Sequence, residues 1–170
     1  MHSDGRIGTL VHAADLHIGA PLKAVASRLD ENESTLANSL RNEVSMAFDN
    51  LIKTTVNADA DILVLAGDIY DGLEQEFATQ YRFTQGLEEL VKAGVKVFIV
   101  HGNHDPLQSQ IKRDIKIPEG VTVFTNTNSA EIHEVELKSG RYIEVAGMSF
   151  KTKKEERNLV RDFFLASDFQ

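Results

Sequence analysis

The 170-residue sequence contains no cysteine, which removes disulfides, thiolate metal sites and cysteine nucleophiles from consideration and suits a reducing compartment. Any metal must be held by imidazole, carboxylate or amide. No apolar run approaches the roughly 18 residues that span a bilayer, and the polar start Met1-His2-Ser3-Asp4-Gly5-Arg6 has the form of neither a signal nor a transit peptide. The sequence therefore predicts a cytoplasmic protein with no membrane partner. Positive charge is scarce as well: 18 Lys and Arg against 26 Asp and Glu give a formal net charge of -8. That balance argues against a general polyanion-binding surface, so a nucleic-acid substrate would need bound metal and a few well-placed basic residues. What is present is 42% hydrophobic content, enough to fill one core, and no linker, internal repeat or low-complexity tract. A single domain over residues 1–170 is expected.

Ile7 to Ala13, bounded by Gly8 and Asp15, reads as a short buried strand. Gly19 to Arg41 is polar and weakly patterned, which predicts a long surface excursion with about one helical turn. Val44, Ala47, Phe48, Leu51 and Ile52 then fall at helical spacing, giving an amphipathic helix that ends near Asn57. Asp61 to Ala66 is an apolar run behind one acid, the pattern of a strand covered on both faces in a parallel sheet. Phe83, Leu87, Leu90 and Val91 mark a second helix, with Gly94 placed to end it in a left-handed cap. Val95 to Val100 repeats the buried-strand pattern. This alternation implies right-handed crossovers and a layered α/β domain with a parallel βαβαβ first half. After Pro106 the character changes. A short strand at Val121 to Phe124 precedes Ile132 to Leu137 and Tyr142 to Ala146, which flank Lys138-Ser139-Gly140-Arg141 as an antiparallel hairpin. Thr152 and Glu155 have capping-box spacing ahead of Leu159, Val160, Phe163 and Phe164, predicting a last amphipathic helix.

Three polar strings stand at the carboxyl ends of the three buried strands: Asp15-Leu16-His17, Gly67-Asp68-Ile69-Tyr70-Asp71 and Gly102-Asn103-His104-Asp105. Open α/β sheets bind ligands at that edge, so three loops aim at one crevice. In extended backbone the side chains of Asp15 and His17 point to the same side and can grip one cation. Gly67 lets the chain turn sharply before Asp68, whose two oxygens can bridge two cations, and Asn103 offers an amide oxygen to the second. Oxygen and imidazole ligands without sulfur suit Mn²⁺, Fe²⁺ or Zn²⁺. Two such ions about 3.5–4 Å apart can clamp a phosphoryl group for in-line displacement. His104 is placed to stabilise the transition state or protonate the leaving oxygen, and Asp105 to fix the His104 tautomer.

Taken singly, an aspartate after a strand is as readily a turn former or helix cap. Three strand ends with metal-competent groups, two of them with histidine, outweigh that reading. The other histidines carry less: His12 reads as packed or hydrogen-bonded, His101 as crevice or structural, His133 as structural or exposed, and His2 as part of a terminus expected to be mobile. Lys112, Arg113 and Lys116, like Lys23, Arg28 and Arg41, read as solvated surface with the option of phosphate contact. Lys151, Lys153, Lys154 and Arg157 surround the expected helix start and carry no functional argument.

The three strings, in this order and at these separations, resemble those of calcineurin-like metallophosphoesterases. Ala14-Asp15-Leu16-His17-Ile18-Gly19 and Gly67-Asp68-Ile69-Tyr70-Asp71 are most similar to the bacterial SbcD-type DNA-repair exonuclease subunits, and Gly147-Met148-Ser149-Phe150 resembles the segment that follows their hairpin. The resemblance covers nearly the whole chain. It implies a manganese-dependent nuclease acting on DNA ends with an SbcC-like, SMC-related ATPase subunit. It further implies Asp15, His17 and Asp68 on one metal, Asp68 and Asn103 on the other, and a catalytic His104. Asp71 departs from archaeal and eukaryotic relatives, which place a second catalytic histidine there. The arginine that protein phosphatases of the family carry in the second motif is absent after Asp71. The family pattern continues with three further histidines, whereas no histidine follows His133. The expectation is thus a metallophosphoesterase-like sandwich that is C-terminally incomplete, with weak or absent two-metal phosphodiester hydrolysis and exposed edges favouring a homo-oligomer. The alternatives are a catalytically dead phosphoesterase-fold scaffold and a phosphodiesterase for a small nucleotide.

Overall fold

Unbroken apolar strands need cover on both faces, and this chain supplies helices on one side and a hairpin on the other. A computed structural model describes residues 7–20, 34–70, 77–110, 116–159, 161 and 163, with backbone alone for 34–42 and 110. Strands β1 (Leu10–Ala13), β2 (Ile62–Ala66), β3 (Lys96–Val100) and β4 (Val121–Val123) form a parallel sheet in sequential order. Helices α1 (Ser34–Asn57) and α2 (Phe77–Lys92) connect the first three. Right-handed crossovers between strands that follow one another in order put their helices on a single face. There Phe48 and Ile52 of α1 and Phe83, Leu87 and Leu90 of α2 pack with Leu63, Leu65, Val97 and Ile99. The alternate residues Ile62 and Phe98 face the other way, against Phe124, Val135 and Leu137. The hairpin of β5 (Glu131–Glu136) and β6 (Tyr142–Gly147) provides that second cover.

Three local devices hold the layers in place. Helices α1 and α2 meet at Gly86, where a Cβ would lie 2.8 Å from the Phe48 ring; the missing side chain sets their approach. Gly94, at φ 78°, closes α2 as expected, with the Val95 N–H donating to the Leu90 carbonyl at 3.0 Å and the Gly94 N–H to that of Val91 at 2.9 Å. The buried Asp61 carboxylate accepts the Thr9 and Lys138 N–H groups, each at 2.7 Å, and so ties β2 to the approach of β1 and to the hairpin turn.

Several elements differ from expectation. Helix α1 begins at Ser34, ten residues before Val44, so part of the polar stretch ending at Arg41 is helical. Strand β1 starts at Leu10 rather than Ile7. Strand β4 pairs parallel to β3, with Val97 beside Val121, so the parallel sheet has one strand more than the βαβαβ pattern. A four-residue helix, α3 (Leu107–Gln110), follows the third polar string. The Thr152/Glu155 capping box does not form, because Glu155 accepts hydrogen bonds from Arg157 while the Thr152 hydroxyl donates to the Lys154 carbonyl. Asn158 takes over as cap, its side-chain oxygen accepting the Arg161 N–H at 3.4 Å. His12 is exposed on the edge strand β1 instead of packed. His2, Lys23, Arg28, Asp71, Lys112, Arg113, Val160 and Phe164 lie outside the described residues.

Candidate metal centre

The parallel register brings Ala13 beside Leu65 and Ala66 beside Val100, so the chain leaves β1, β2 and β3 at one edge of the sheet. Beyond the strands the loops remain joined. The Asp15 N–H donates to the Gly67 carbonyl (3.2 Å), the His17 N–H to that of Asp68 (3.0 Å) and the Ile18 N–H to that of Ile69 (2.8 Å), while the Gly67 N–H reaches Val100 (3.0 Å). The extended geometry expected of Asp15 and His17 is not adopted. Their φ angles are 53° and 44°, and Asp68 has 49°, so three non-glycine residues sit in the left-handed region at one spot. Such conformations cost on the order of 1–3 kcal/mol each and persist where surrounding bonds enforce them. The interloop bonds are that enforcement here.

This backbone gathers Asp15, His17 and Asp68, each offering one ligand atom, all within 4.8 Å of one another. Two ligands about 2.1 Å from a common ion are at most about 4.2 Å apart, so small side-chain rotations close the set on a divalent cation. The donors, two carboxylates and an imidazole, match a hard or borderline ion.

The third loop is fastened to the second by Asp68 itself. One of its carboxylate oxygens accepts the His104 N–H at 2.9 Å, and the carboxylate lies across Gly102, where any Cβ would collide with it. Asn103 stands exposed between these two attachment points. The His104 ring meets the His17 ring edge to face, with centroids 5.0 Å apart. Thus Asp15, His17, Asp68 and His104 lie together at one edge of the sheet, with Asn103 in the loop beside them.

Asp105 ties two of the loops together. It is fully buried, and one oxygen accepts the Gly102 N–H at 2.9 Å. The other accepts the Ile69 N–H at 3.1 Å and lies 3.3 Å from Nδ1 of His101. Its carboxylate therefore fixes the loop backbones and the His101 ring. His101 proves to be a structural member of the site, and Gly102 a steric requirement of it. The Gly-Asn-His-Asp string held both signals only as neighbours of the obvious ligands. His133 packs edge to face on Phe124, away from the crevice, as a structural residue.

Comparison with known proteins agrees with this geometry. The family model for calcineurin-like phosphoesterases matches residues 8–168. The chain is 29% identical over 167 residues to the metallophosphoesterase YhaO of Bacillus subtilis, covering 94% of this chain and 38% of that protein. It is 22% identical over 157 residues to the SbcD component of the SbcCD nuclease of the same organism, covering 91% and 37%. It is 27% identical over 96 residues to the DNA double-strand break repair protein Mre11 of Methanopyrus kandleri, covering 56% and 19%. The chain spans less than two fifths of each of these relatives. With the polar loops converging at one sheet edge and the family match running across both sheets, the chain belongs to the calcineurin-like phosphoesterases.

Proposed function

We propose that the protein hydrolyses phosphodiesters with two divalent ions, Mn²⁺ foremost and Fe²⁺ or Zn²⁺ as alternatives, and acts on DNA ends as a cytoplasmic nuclease subunit beside an SbcC-like ATPase. The observation that carries this reading is the convergence of Asp15, His17 and Asp68 within 4.8 Å, with the His104 ring against His17. Similarity to an SbcCD nuclease component and to an Mre11 protein supports the nuclease part.

In this reading Asp15, His17 and Asp68 hold one ion, and Asp68 and Asn103 hold the other. Bound ions supply positive charge that polarises the phosphoryl group and readies water for attack. His104 is tethered by its own N–H to Asp68. Its ring is thereby kept at the mouth of the crevice, where it can donate a proton to the leaving oxygen. Asp105 acts through the backbone it holds and is a positioning residue. Exposed apolar side chains at Leu10 on β1 and at Ile132 and Tyr142 on the hairpin favour self-association through the sheet edges. Light scattering that shows only monomer at high concentration refutes that part.

The test is Mn²⁺-dependent cleavage of a linear DNA end measured beside a small phosphodiester. DNA is the preferred substrate, and His104→Ala lowers the rate by at least about 100-fold while metal still binds. Turnover of the small ester alone refutes the DNA reading. Metal binding with no hydrolysis of either substrate turns the assignment to a scaffold.

A further inference from the structure

Ser149 lies outside the metal loops, 45 residues beyond His104, yet it is 1% exposed and makes two hydrogen bonds through one hydroxyl. Its Oγ accepts the His101 N–H at 2.9 Å and donates to the Phe124 carbonyl at 2.6 Å. The next residue completes the grip, the Phe150 N–H donating to the His101 carbonyl at 2.9 Å. Both backbone groups of His101 are thus held by residues 149–150, which arrive from the far side of the hairpin. Its side chain is held by Asp105, which also takes the Gly102 and Ile69 N–H groups. Gly147 permits the arrival: a Cβ there would collide with the Phe124 ring, which is 2% exposed, stacked on Phe98 and unable to swing aside.

We propose that Ser149 is a positioning residue for the metal centre, a latch that sets the place of Asn103 and His104 by clamping His101 to the end of β4. The proposal rests on the metal-centre reading above. Its chemistry requires a hydroxyl that accepts and donates at once, which alanine cannot replace. Because Asn103 is two residues from His101, freeing the His101 backbone lets the second-ion ligand wander while the hydrophobic layers remain packed. Groups that orient metal ligands alter affinity by about 10- to 100-fold when removed.

The experiment compares wild type, Ser149→Ala, Ser149→Cys, His101→Leu and the control Thr55→Val. Thr55 is also fully buried, with a hydroxyl that donates to the Leu51 carbonyl at 2.8 Å on α1, so its loss tests stability away from the site. Amide hydrogen exchange is measured without metal, and Mn²⁺ affinity by calorimetry. In Ser149→Ala, exchange at residues 101–104 accelerates by about 10-fold or more while that of β2 is unchanged, and Mn²⁺ affinity falls about 10-fold. Ser149→Cys, which keeps a side chain of similar shape but donates and accepts only weakly, shifts both readouts in the same direction and keeps the test decisive if Ser149→Ala fails to fold, while His101→Leu separates the ring contact with Asp105 from the Ser149 clamp. Thr55→Val changes neither. Uniform acceleration across the domain, or local acceleration with unchanged Mn²⁺ affinity, overturns the latch. A wild type that binds no Mn²⁺ refutes the metal-centre reading, and the exchange pattern still decides whether Ser149 clamps the loop.

Discussion

Replacing Gly102 by alanine adds one carbon where the loops leave no room. The new Cβ would lie 2.8 Å from the Asp68 backbone nitrogen and 2.9 Å from its Cγ, well inside the roughly 3.5 Å at which carbon contacts become favourable. Backbone movement of the second loop is resisted by the Gly67 N–H, bonded to Val100 at 3.0 Å. Either the Asp68 carboxylate swings away or the 101–105 loop lifts. The first breaks the bond from the His104 N–H, worth about 1.5–3 kcal/mol because the acceptor is charged. The second strains the bonds from Asp105 to Gly102 and Ile69. Overpacking by one methyl costs about 1–3 kcal/mol, so a total of about 2.5–6 kcal/mol is expected from urea denaturation of the metal-free protein. Mn²⁺ affinity should fall by about 10- to 100-fold if Asp68 is the shared ligand proposed above. Gly94→Ala is the matched control. Its φ is 78°, but no atom lies within 4 Å of the added carbon, so left-handed strain of about 1–2 kcal/mol is its only cost. Metal affinity should not change. Gly102→Ala with wild-type Mn²⁺ affinity and a stability loss no larger than that of Gly94→Ala refutes the steric argument.

Asp61→Ala leaves the Thr9 and Lys138 N–H groups without their carboxylate, and equilibrium unfolding should show a loss of about 2 kcal/mol or more; a neutral result contradicts the clamp. Gly86→Ala raises helix propensity by about 1 kcal/mol yet drives a methyl into Phe48, so urea unfolding should show net destabilisation, and a stabilised protein refutes the close approach of α1 and α2. Hydrogen bonds from Arg157 hold the Glu155 carboxyl down to about 2, against an ordinary value of 4.5. A depressed acid contributes stability above its unfolded value and loses it as pH falls through the folded one, so the contribution fades between about 4.5 and 2. Carboxyl NMR should find the low titration in wild type and a return toward 4.5 in Arg157→Ala; an unshifted wild-type curve refutes the pairing.

The parallel core was legible because strands covered on both faces leave a plain record. Ile62 to Ala66 and Lys96 to Val100 are runs that no surface strand would carry. The start of α1 was not legible, since Ser34 to Glu43 lacks a wide apolar stripe and Leu36 and Leu40 alone do not distinguish helix from loop. The false capping box shows the limit of spacing rules: Thr152 and Glu155 stand at the right interval, but Arg157 offers Glu155 a stronger charged partner. The candidate ligands Asp15, His17 and Asp68 were legible as residue types placed after strands. Their left-handed backbone was not, because it arises from hydrogen bonds between loops distant in sequence. For the same reason the roles of His101, Asp105 and Ser149 emerged only when β3, β4 and the segment after β6 were brought together.

The central claim is that Asp68 is shared by two cations in one crevice. Its most direct test is a Mn²⁺ titration of wild type and Asp68→Ala, each shown to be folded by circular dichroism. Wild type is expected to bind, and Asp68→Ala to lose both ions. Mn²⁺ binding by Asp68→Ala equal to that of wild type, or no binding by either, would contradict it.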